Sequence, residues 1–195
     1  PTEPYTGSLE SAVRFFAGQE YGRFRFVTKF TDVETLLSVP HNGHTRFRFS
    51  INTPELIRRH EHATPPLAER LAAAKKVAAA GFPLGFLVAP IILKEGWQES
   101  YRELFKAAAA ELSGAVPDLT FELITHRFTK RAKGAILEIF PNTRLDLDEA
   151  ARTFKFGQFG YGKYVYPKEL IREIKEHFNA LVKAYFPEAH IDYLV

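Results

Sequence analysis

A continuous apolar run, LGFLVAPIIL at residues 84–93, constrains the fold of this chain more than any other feature. Its length suits a strand, and the lack of polar alternation indicates that both faces of that strand are buried. Helical segments flank it on both sides, PLAERLAAAKKVAAAG at 66–81 and QESYRELFKAAAAELSG at 98–114. Strand and helix in this alternation predict a buried strand of a parallel sheet in an α/β fold.

Further segments extend the same alternation. Strands are predicted in RFRFVTKF from Arg23, in TRFRFS at 45–50 and in LTFELI at 119–124. Helices are predicted at 7–18 with Ser8 as N-cap, at TDVETLLS with a capping box between Thr31 and Glu34, and at 129–140, where Pro141 stops the helix. After residue 150 the rhythm changes to a hairpin (155–167), a helix that begins at Pro167 and a tail strand, HIDYLV. The pattern predicts a parallel α/β sheet or part of a barrel.

Arginines alternate with phenylalanines in the first two predicted strands, at Arg23, Arg25, Arg46 and Arg48. If the phenylalanines face the helices, the arginines point into a barrel interior or onto an open sheet face. An inward arginine needs a carboxylate, a phosphate or a ligand as partner, because an unpaired buried charge is costly.

Polar residues follow the predicted strands at their C-terminal ends, where parallel α/β folds collect their ligands. These positions are Thr28, Lys29, Ser50, Asn52, Ala89, Pro90, Thr125, His126 and Arg127. They predict a polar site on one rim of the sheet. The alternative is that these strand ends are polar only because they meet solvent.

The remaining motifs indicate no specific function by themselves. The segment HRFTKRAK places Arg127, Lys130, Arg131 and Lys133 at the start of a helix, which suits either phosphate contacts or a solvated basic helix end. HNGH and HEH lack the helical spacing of a metal site, so we expect solvated or capping histidines and no metal ligand. No P-loop, dinucleotide fingerprint or nucleophile elbow is present.

Composition bounds the function further. Cysteine and methionine are both absent, and the net charge is +3 with a pI of about 9.1. Without thiolates the chain holds no disulfide and no cysteine-bound zinc or iron–sulfur centre. No apolar run approaches the roughly 20 residues that span a bilayer, and no export signal is visible, so we expect a cytoplasmic protein without a membrane partner. A chain that starts at PTEP is expected to be part of something longer.

Five segments together resemble the C-terminal part of the spore photoproduct lyase family: RFRFVTKF, HNGHTRFRFSIN, GFPLGFLVAPIILKEGW, LTFELITHRFTKRAK and GQFGYGKYVY. Their order and spacing also match, over nearly the whole chain. The resemblance implies an α/β fold, the C-terminal portion of a partial (β/α)6 TIM-like barrel of the radical S-adenosylmethionine superfamily, followed by a β-hairpin and a helix. It also implies a DNA repair lyase that reverses 5-thyminyl-5,6-dihydrothymine with S-adenosylmethionine and a [4Fe–4S] cluster.

The resemblance places the cluster motif, CxxxCxxC, and a further hydrogen-donating cysteine upstream of residue 1. The missing N-terminal half of the same protein is therefore an implied partner, and the isolated chain is expected to be inactive. Lys29 and Ser50 match residues that contact S-adenosylmethionine, and a backbone contact to cofactor or lesion is expected at Ala89. The resemblance assigns no catalytic residue and no metal ligand to this chain.

The hairpin tip departs from the family, whose members commonly read GRYGIGKY where this chain reads GQFGYGKY. Gln158 and Phe159 therefore occupy positions implied to contact damaged DNA, with His126, Arg127 and Lys130 as further DNA contacts. Either lesion binding is supported elsewhere or the substrate differs. A related radical enzyme with another substrate and a non-catalytic nucleic-acid-binding module remain alternatives. We assign residues 1–150 to βα units of the barrel and residues 151–195 to a lesion-contacting hairpin, helix and tail strand.

Overall fold

A five-stranded, all-parallel sheet with the order β1-β2-β3-β4-β7 forms the centre of the protein. The computed structural model describes residues 3–114, 116–157, 160 and 162–195. The strands of the sheet are β1 (Phe24–Thr28), β2 (Thr45–Ile51), β3 (Leu84–Ile91), β4 (Thr120–Thr125) and β7 (His190–Leu194). A separate antiparallel hairpin consists of β5 (Thr153–Phe156) and β6 (Gly162–Val165).

Helices occupy most of the connections between these strands. They are α1 (Glu3–Thr6), α2 (Ser8–Ala17), α3 (Glu34–Leu37), α4 (Pro54–His60), α5 (Leu67–Ala79), α6 (Trp97–Leu112), α7 (Lys130–Ile139) and α8 (Lys168–Tyr185). Within the described residues, none of the helices combines the length and the hydropathy needed to cross a membrane.

The strand order explains why the helices lie on one face of the sheet. Each strand pairs with the next strand of the sheet without any reversal, so right-handed crossovers return to the same side every time. Helices α2, α5, α6 and α8 cover that side, and they bury the phenylalanine-rich face of the strands: Phe47, Phe49, Phe86 and Phe121. This winding is that of a barrel segment, and it confirms the predicted α/β fold class.

The two edges of the sheet differ. The predicted tail strand becomes β7, which pairs with β4 in parallel and covers that edge. Among the described residues β1 pairs only with β2, and the Val27 side chain on this edge is 41% exposed. An open edge at β1 is what a partial barrel is expected to present, because further strands of a barrel would pair there.

Two predicted helix caps are wrong. Gly7, with a φ of 59°, is the N-cap of α2, and Ser8 is already the first helical residue, because the chain enters this helix through a left-handed turn that favours glycine. Helix α3 begins at Glu34, whose carboxylate accepts a hydrogen bond from Val33 N at 3.0 Å. Thr31 therefore lies too far from the first helical turn to form a capping box.

Candidate functional site

The predicted rim residues lie at the C-terminal end of the sheet, because all five strands are parallel and their carboxyl ends meet there. Hydrogen bonds connect neighbouring strand ends along this rim. The Asn52 side chain donates to Pro90 O at 2.9 Å, which ties the end of β2 to the end of β3. His126 N donates to Ile91 O at 2.9 Å, which ties β3 to β4. The Ala89–Pro90 peptide bond on this rim is cis.

A buried ion pair between Arg70 and Glu61 connects Lys29 with Ser50. The Arg70 side chain is fully buried, and it donates to Ser50 O at 2.9 Å and to Pro65 O at 2.8 Å. Its guanidinium also lies 2.8 Å from a carboxylate oxygen of Glu61, and the same oxygen lies 3.5 Å from Lys29 Nζ. The carboxylate therefore connects the end of β1 with the end of β2, where the two predicted cofactor residues lie.

The Lys29 ammonium remains accessible despite this contact. Its side chain is 35% exposed and lines a cavity of about 630 Å³ together with Thr28, Asp32 and Pro65. A second anion can therefore reach the ammonium from the cavity while Glu61 holds it from the protein side. This arrangement fits the carboxylate of an amino-acid-like ligand.

Glu61 and Arg70 were not predicted from the sequence, although the position of Arg70 on the apolar face of a helix could have identified it. Leu67, Arg70, Leu71 and Ala74 share one face of α5 by their spacing, and that face is buried against the sheet. A charged residue on the apolar face of a helix indicates a buried partner. Glu61 follows α4 in an irregular segment, and no local pattern identifies it as that partner.

The open face of the sheet carries the predicted inward arginines and their partner. Arg48 donates to both carboxylate oxygens of Glu122, at 2.6 and 2.8 Å, and Arg25 lies 3.8 Å from the same group. The Tyr193 hydroxyl donates to it at 2.6 Å. Burial opposes ionisation of Glu122, but the hydrogen bonds from Arg48 and Tyr193 outweigh it and lower the pKa of Glu122. The prediction of an anionic partner on this face is confirmed for Arg25 and Arg48. Arg46 pairs instead with Asp118, and Arg23, which precedes β1, donates only to the backbone oxygens of Glu20 and Gly22 among the described residues.

Arg152 anchors the hairpin region to the end of β4. Its fully buried guanidinium donates to His126 O and to the Asp146 carboxylate, both at 2.9 Å, and it lies 3.7 Å above the Tyr166 ring. The Tyr166 hydroxyl in turn accepts from Leu93 N, just after β3. Burial, followed by the charge of Arg152, lowers the pKa of His126 to about 4. His126 is therefore a neutral, buried contact of this anchor at physiological pH. With 6% of its surface exposed, it is not placed for the DNA contact that the resemblance implies.

We predict that His126 makes stability depend on pH. In the unfolded chain the imidazole takes up a proton below its ordinary pKa of 6.5, whereas the folded protein resists protonation until about pH 4. Stability is therefore full above pH 6.5 and falls as the pH drops towards 4, by at most about 3 kcal/mol. Thermal melts of the full-length protein at pH 7 and pH 4.5 measure the loss. His126→Gln should remove the part of the stability loss that comes from protonation of this imidazole. An unchanged pH dependence in that variant would contradict the attribution of the loss to His126.

The hairpin is held by aromatic packing and by one glycine. Phe128 exchanges both backbone hydrogen bonds with Tyr164, and their rings stack with centroids 5.3 Å apart. The Phe154 ring lies directly over Gly162, where a Cβ would approach the ring to 1.9 Å. Any side chain at position 162 would therefore clash with this ring. The Phe156 ring contacts Phe154 edge-on, with centroids 5.0 Å apart, and is 77% exposed.

Positive charge is concentrated in the outer half of the hairpin, towards its tip. Lys155 and Lys163 are cross-strand partners, and like charges in that position destabilise a hairpin unless an anion binds there. The Arg127 guanidinium, with smaller effects of burial and of Lys155, lowers the pKa of Lys163. Lys130 is exposed at the start of α7, where Thr129 caps the helix by accepting from Ala132 N at 3.0 Å. Gln158 and Phe159, the predicted contacts at the tip, lie outside the described residues.

The two histidines of HNGH make contacts within the fold, whereas His60 and His62 of HEH line a cavity. His44 Nδ1 lies 2.9 Å from Phe16 O, and the His41 ring stacks on Phe82 with centroids 3.7 Å apart. Over the ranges that the structure describes, no three histidine, cysteine, aspartate or glutamate side chains are grouped so as to hold a metal ion.

Comparison with known proteins places this geometry in a family. The family model described as "Spore photoproduct lyase" matches residues 2–195. Similar curated relatives are the spore photoproduct lyases of Clostridium acetobutylicum, 49% identical over 195 residues, and of Bacillus subtilis, 49% identical over 189 residues. These alignments cover 100% and 96% of this chain, but only 57% and 55% of the relatives. The chain therefore spans little more than half the length of the proteins it matches.

Solved structures agree with the sequence comparison. One is a spore photoproduct lyase mutant with bound AdoMet and dinucleoside spore photoproduct, and another is a spore photoproduct lyase complexed with dinucleoside spore photoproduct. Each aligns with a TM-score of 0.96 at 49% identity, over 99% of this chain and 57% of the other. The fold described above is thus shared with proteins solved together with these two ligands.

Proposed function

This chain belongs to the spore photoproduct lyase family, and we propose that it forms the C-terminal part of a radical S-adenosylmethionine lyase acting on damaged DNA. Its reaction is the reversal of 5-thyminyl-5,6-dihydrothymine. The observation that carries the proposal is the convergence of Lys29 and Ser50, which Glu61 and Arg70 hold together on one rim.

The cofactor end of the site is assigned to the rim of β1, β2 and β3. The Lys29 ammonium binds the carboxylate of S-adenosylmethionine, the Ser50 hydroxyl gives a hydrogen bond, and the backbone at Ala89 completes the contact. The bound cofactor supplies the radical that abstracts hydrogen from the lesion. This chain has no cysteine, so the ligands of the [4Fe–4S] cluster come from the N-terminal half of the protein. The isolated chain is accordingly inactive in this proposal.

The DNA end of the site is assigned to the hairpin and the segment before α7. Four cationic side chains contact phosphates: Arg127, Lys130, Lys155 and Lys163. Lys155 and Lys163 face each other across the hairpin and form a lysine ladder beside Arg127, and a bound anion relieves the repulsion between these charges. Arg152 anchors this region by donating to His126 O, and the exposed Phe156 ring offers a stacking surface. Gln158 and Phe159 stay proposed lesion contacts at the tip. Residues 1–150 and 151–195 remain the proposed division into a cofactor part and a lesion-contacting part.

One sequence observation favours a second candidate. Gln158 and Phe159 replace the arginine and tyrosine that family members commonly carry at the hairpin tip. A related radical enzyme with a different substrate would keep the cofactor rim and change this tip. The two candidates share the first test, which is reductive cleavage of S-adenosylmethionine by the full-length protein, measured as release of 5′-deoxyadenosine. A protein that binds the cofactor but never cleaves it would leave neither candidate standing.

We predict that the lysine ladder sets the salt dependence of DNA binding. Lys155→Ala and Lys163→Ala should each reduce the slope of log K against log salt by about 0.9, the value for one phosphate contact on duplex DNA. Fluorescence anisotropy of a labelled oligonucleotide with the full-length protein, at several salt concentrations, gives the slope. Lys106→Ala is the matched control, because this exposed lysine pairs with Glu103 on α6. Equal slopes in all three variants would contradict the assignment.

A further inference from the structure

A second cavity, of about 730 Å³, lies between the end of α4 and the end of α7. Arg59, His60, His62, Ile139, Phe140 and Arg144 line it, and none of its described lining residues is a carboxylate. Neither the cofactor rim nor the hairpin lysines belong to this lining. The cavity therefore combines an apolar wall with cationic groups and lacks any acidic counterpart.

The fold itself does not account for the apolar wall. Helix α7 buries none of its residues, and the Ile139 and Phe140 side chains at its end are 66% and 60% exposed. The turn that follows is nevertheless ordered, because Thr143 N donates to Phe140 O at 3.0 Å and Leu145 N donates to Thr143 Oγ1 at 3.3 Å. A preformed turn that presents an aromatic ring to an open cavity indicates a binding surface.

The cavity adjoins the hydrophobic cluster that supports the hairpin. Ile136 and Leu145 line it, and both also pack against the small hydrophobic cluster of Phe128, Leu147 and Tyr164. That cluster supports the strand that carries Lys163. A ligand that extends from the hairpin lysines along this cluster therefore meets the cavity next.

The lining matches the chemistry of a nucleotide. A base can stack on the Phe140 ring, and a phosphate can bind Arg144, which has no carboxylate partner within the described part of the chain. The Arg59 guanidinium already forms an ion pair with Glu55, with an N–O distance of 3.1 Å, and therefore offers a weaker second contact to the phosphate. Resting on the function proposed above, we infer that this cavity binds one unpaired nucleotide of the DNA that flanks the lesion, with its base on Phe140 and its phosphate at Arg144.

The test compares two substrates of different length on the full-length protein. A dinucleoside spore photoproduct has no flanking nucleotide, whereas a single-stranded oligonucleotide with the lesion at its centre has several. Phe140→Ala and Arg144→Gln should each weaken oligonucleotide binding about tenfold and leave dinucleoside binding unchanged. Leu137→Ala and Arg102→Gln are the matched controls, because Leu137 is exposed on α7, Arg102 is exposed on α6 and neither lines the cavity.

The other outcomes separate the possible errors. Equal weakening for both substrates would mean that the cavity binds the lesion itself or only supports the lesion site. Unchanged binding of both substrates would mean that no nucleotide enters the cavity. Each result overturns the inference. A lower melting temperature of Phe140→Ala without any length-dependent loss would assign the cavity to another segment of the protein, which also overturns it. A wild-type protein that binds neither substrate would overturn the proposed function, and the inference with it.

Discussion

Arg70→Met is expected to destabilise the protein by about 3–5 kcal/mol, the usual cost of breaking a buried ion pair from one side. The fully buried guanidinium holds Glu61, Ser50 O and Pro65 O, and methionine fills its volume without replacing any of these contacts. The Glu61 carboxylate, whose side chain is 7% exposed, is then left without its principal partner. Urea unfolding of the full-length protein measures the loss, with Arg102→Met on the exposed surface of α6 as the control.

A double variant separates the charge effect from packing. In Arg70→Met combined with Glu61→Leu both members of the ion pair are apolar, so most of the stability should return. Its affinity for S-adenosylmethionine should still be reduced, because Lys29 has lost the carboxylate that positions it. A double variant as unstable as Arg70→Met alone would show that Arg70 acts mainly through its bonds to the two carbonyl groups.

Lys29→Ala is expected to weaken S-adenosylmethionine binding by about 10- to 100-fold, the range for one charge-assisted hydrogen bond. The side chain lines the open cavity at the end of β1, so its removal should leave the fold intact. Isothermal titration of the full-length protein with the cofactor measures the change. Lys75→Ala on α5 is the control, because this half-exposed lysine pairs with Glu111 on α6. An affinity that is unchanged in Lys29→Ala would remove the cofactor assignment from this rim.

The elements were predictable where a local pattern determines them. The apolar run at 84–93 identified β3, and the alternation of arginine with phenylalanine identified both β1 and β2 and the side on which Arg25 and Arg48 lie. The partner of these arginines was not predictable, because Glu122 lies far along the chain and meets them only through the register of β2, β3 and β4. The position of β7 beside β4 depends on long-range pairing in the same way.

The candidate site was predictable only in part for the same reason. Strand ends pointed to Lys29, Ser50 and Ala89 as members of one rim, and the parallel sheet places them there. The side chains that support this rim come from irregular segments or from the buried side of a helix. Glu61, Arg70 and Arg152 are all in this group, and each contributes through contacts that local patterns do not encode.

The most direct measurement is the conversion of dinucleoside spore photoproduct to thymidine by the full-length protein, with S-adenosylmethionine and a reductant. We expect the dimer to disappear as thymidine forms, and Lys29→Ala to slow this conversion at limiting cofactor. Cleavage of S-adenosylmethionine with the dimer left intact would contradict the assigned substrate.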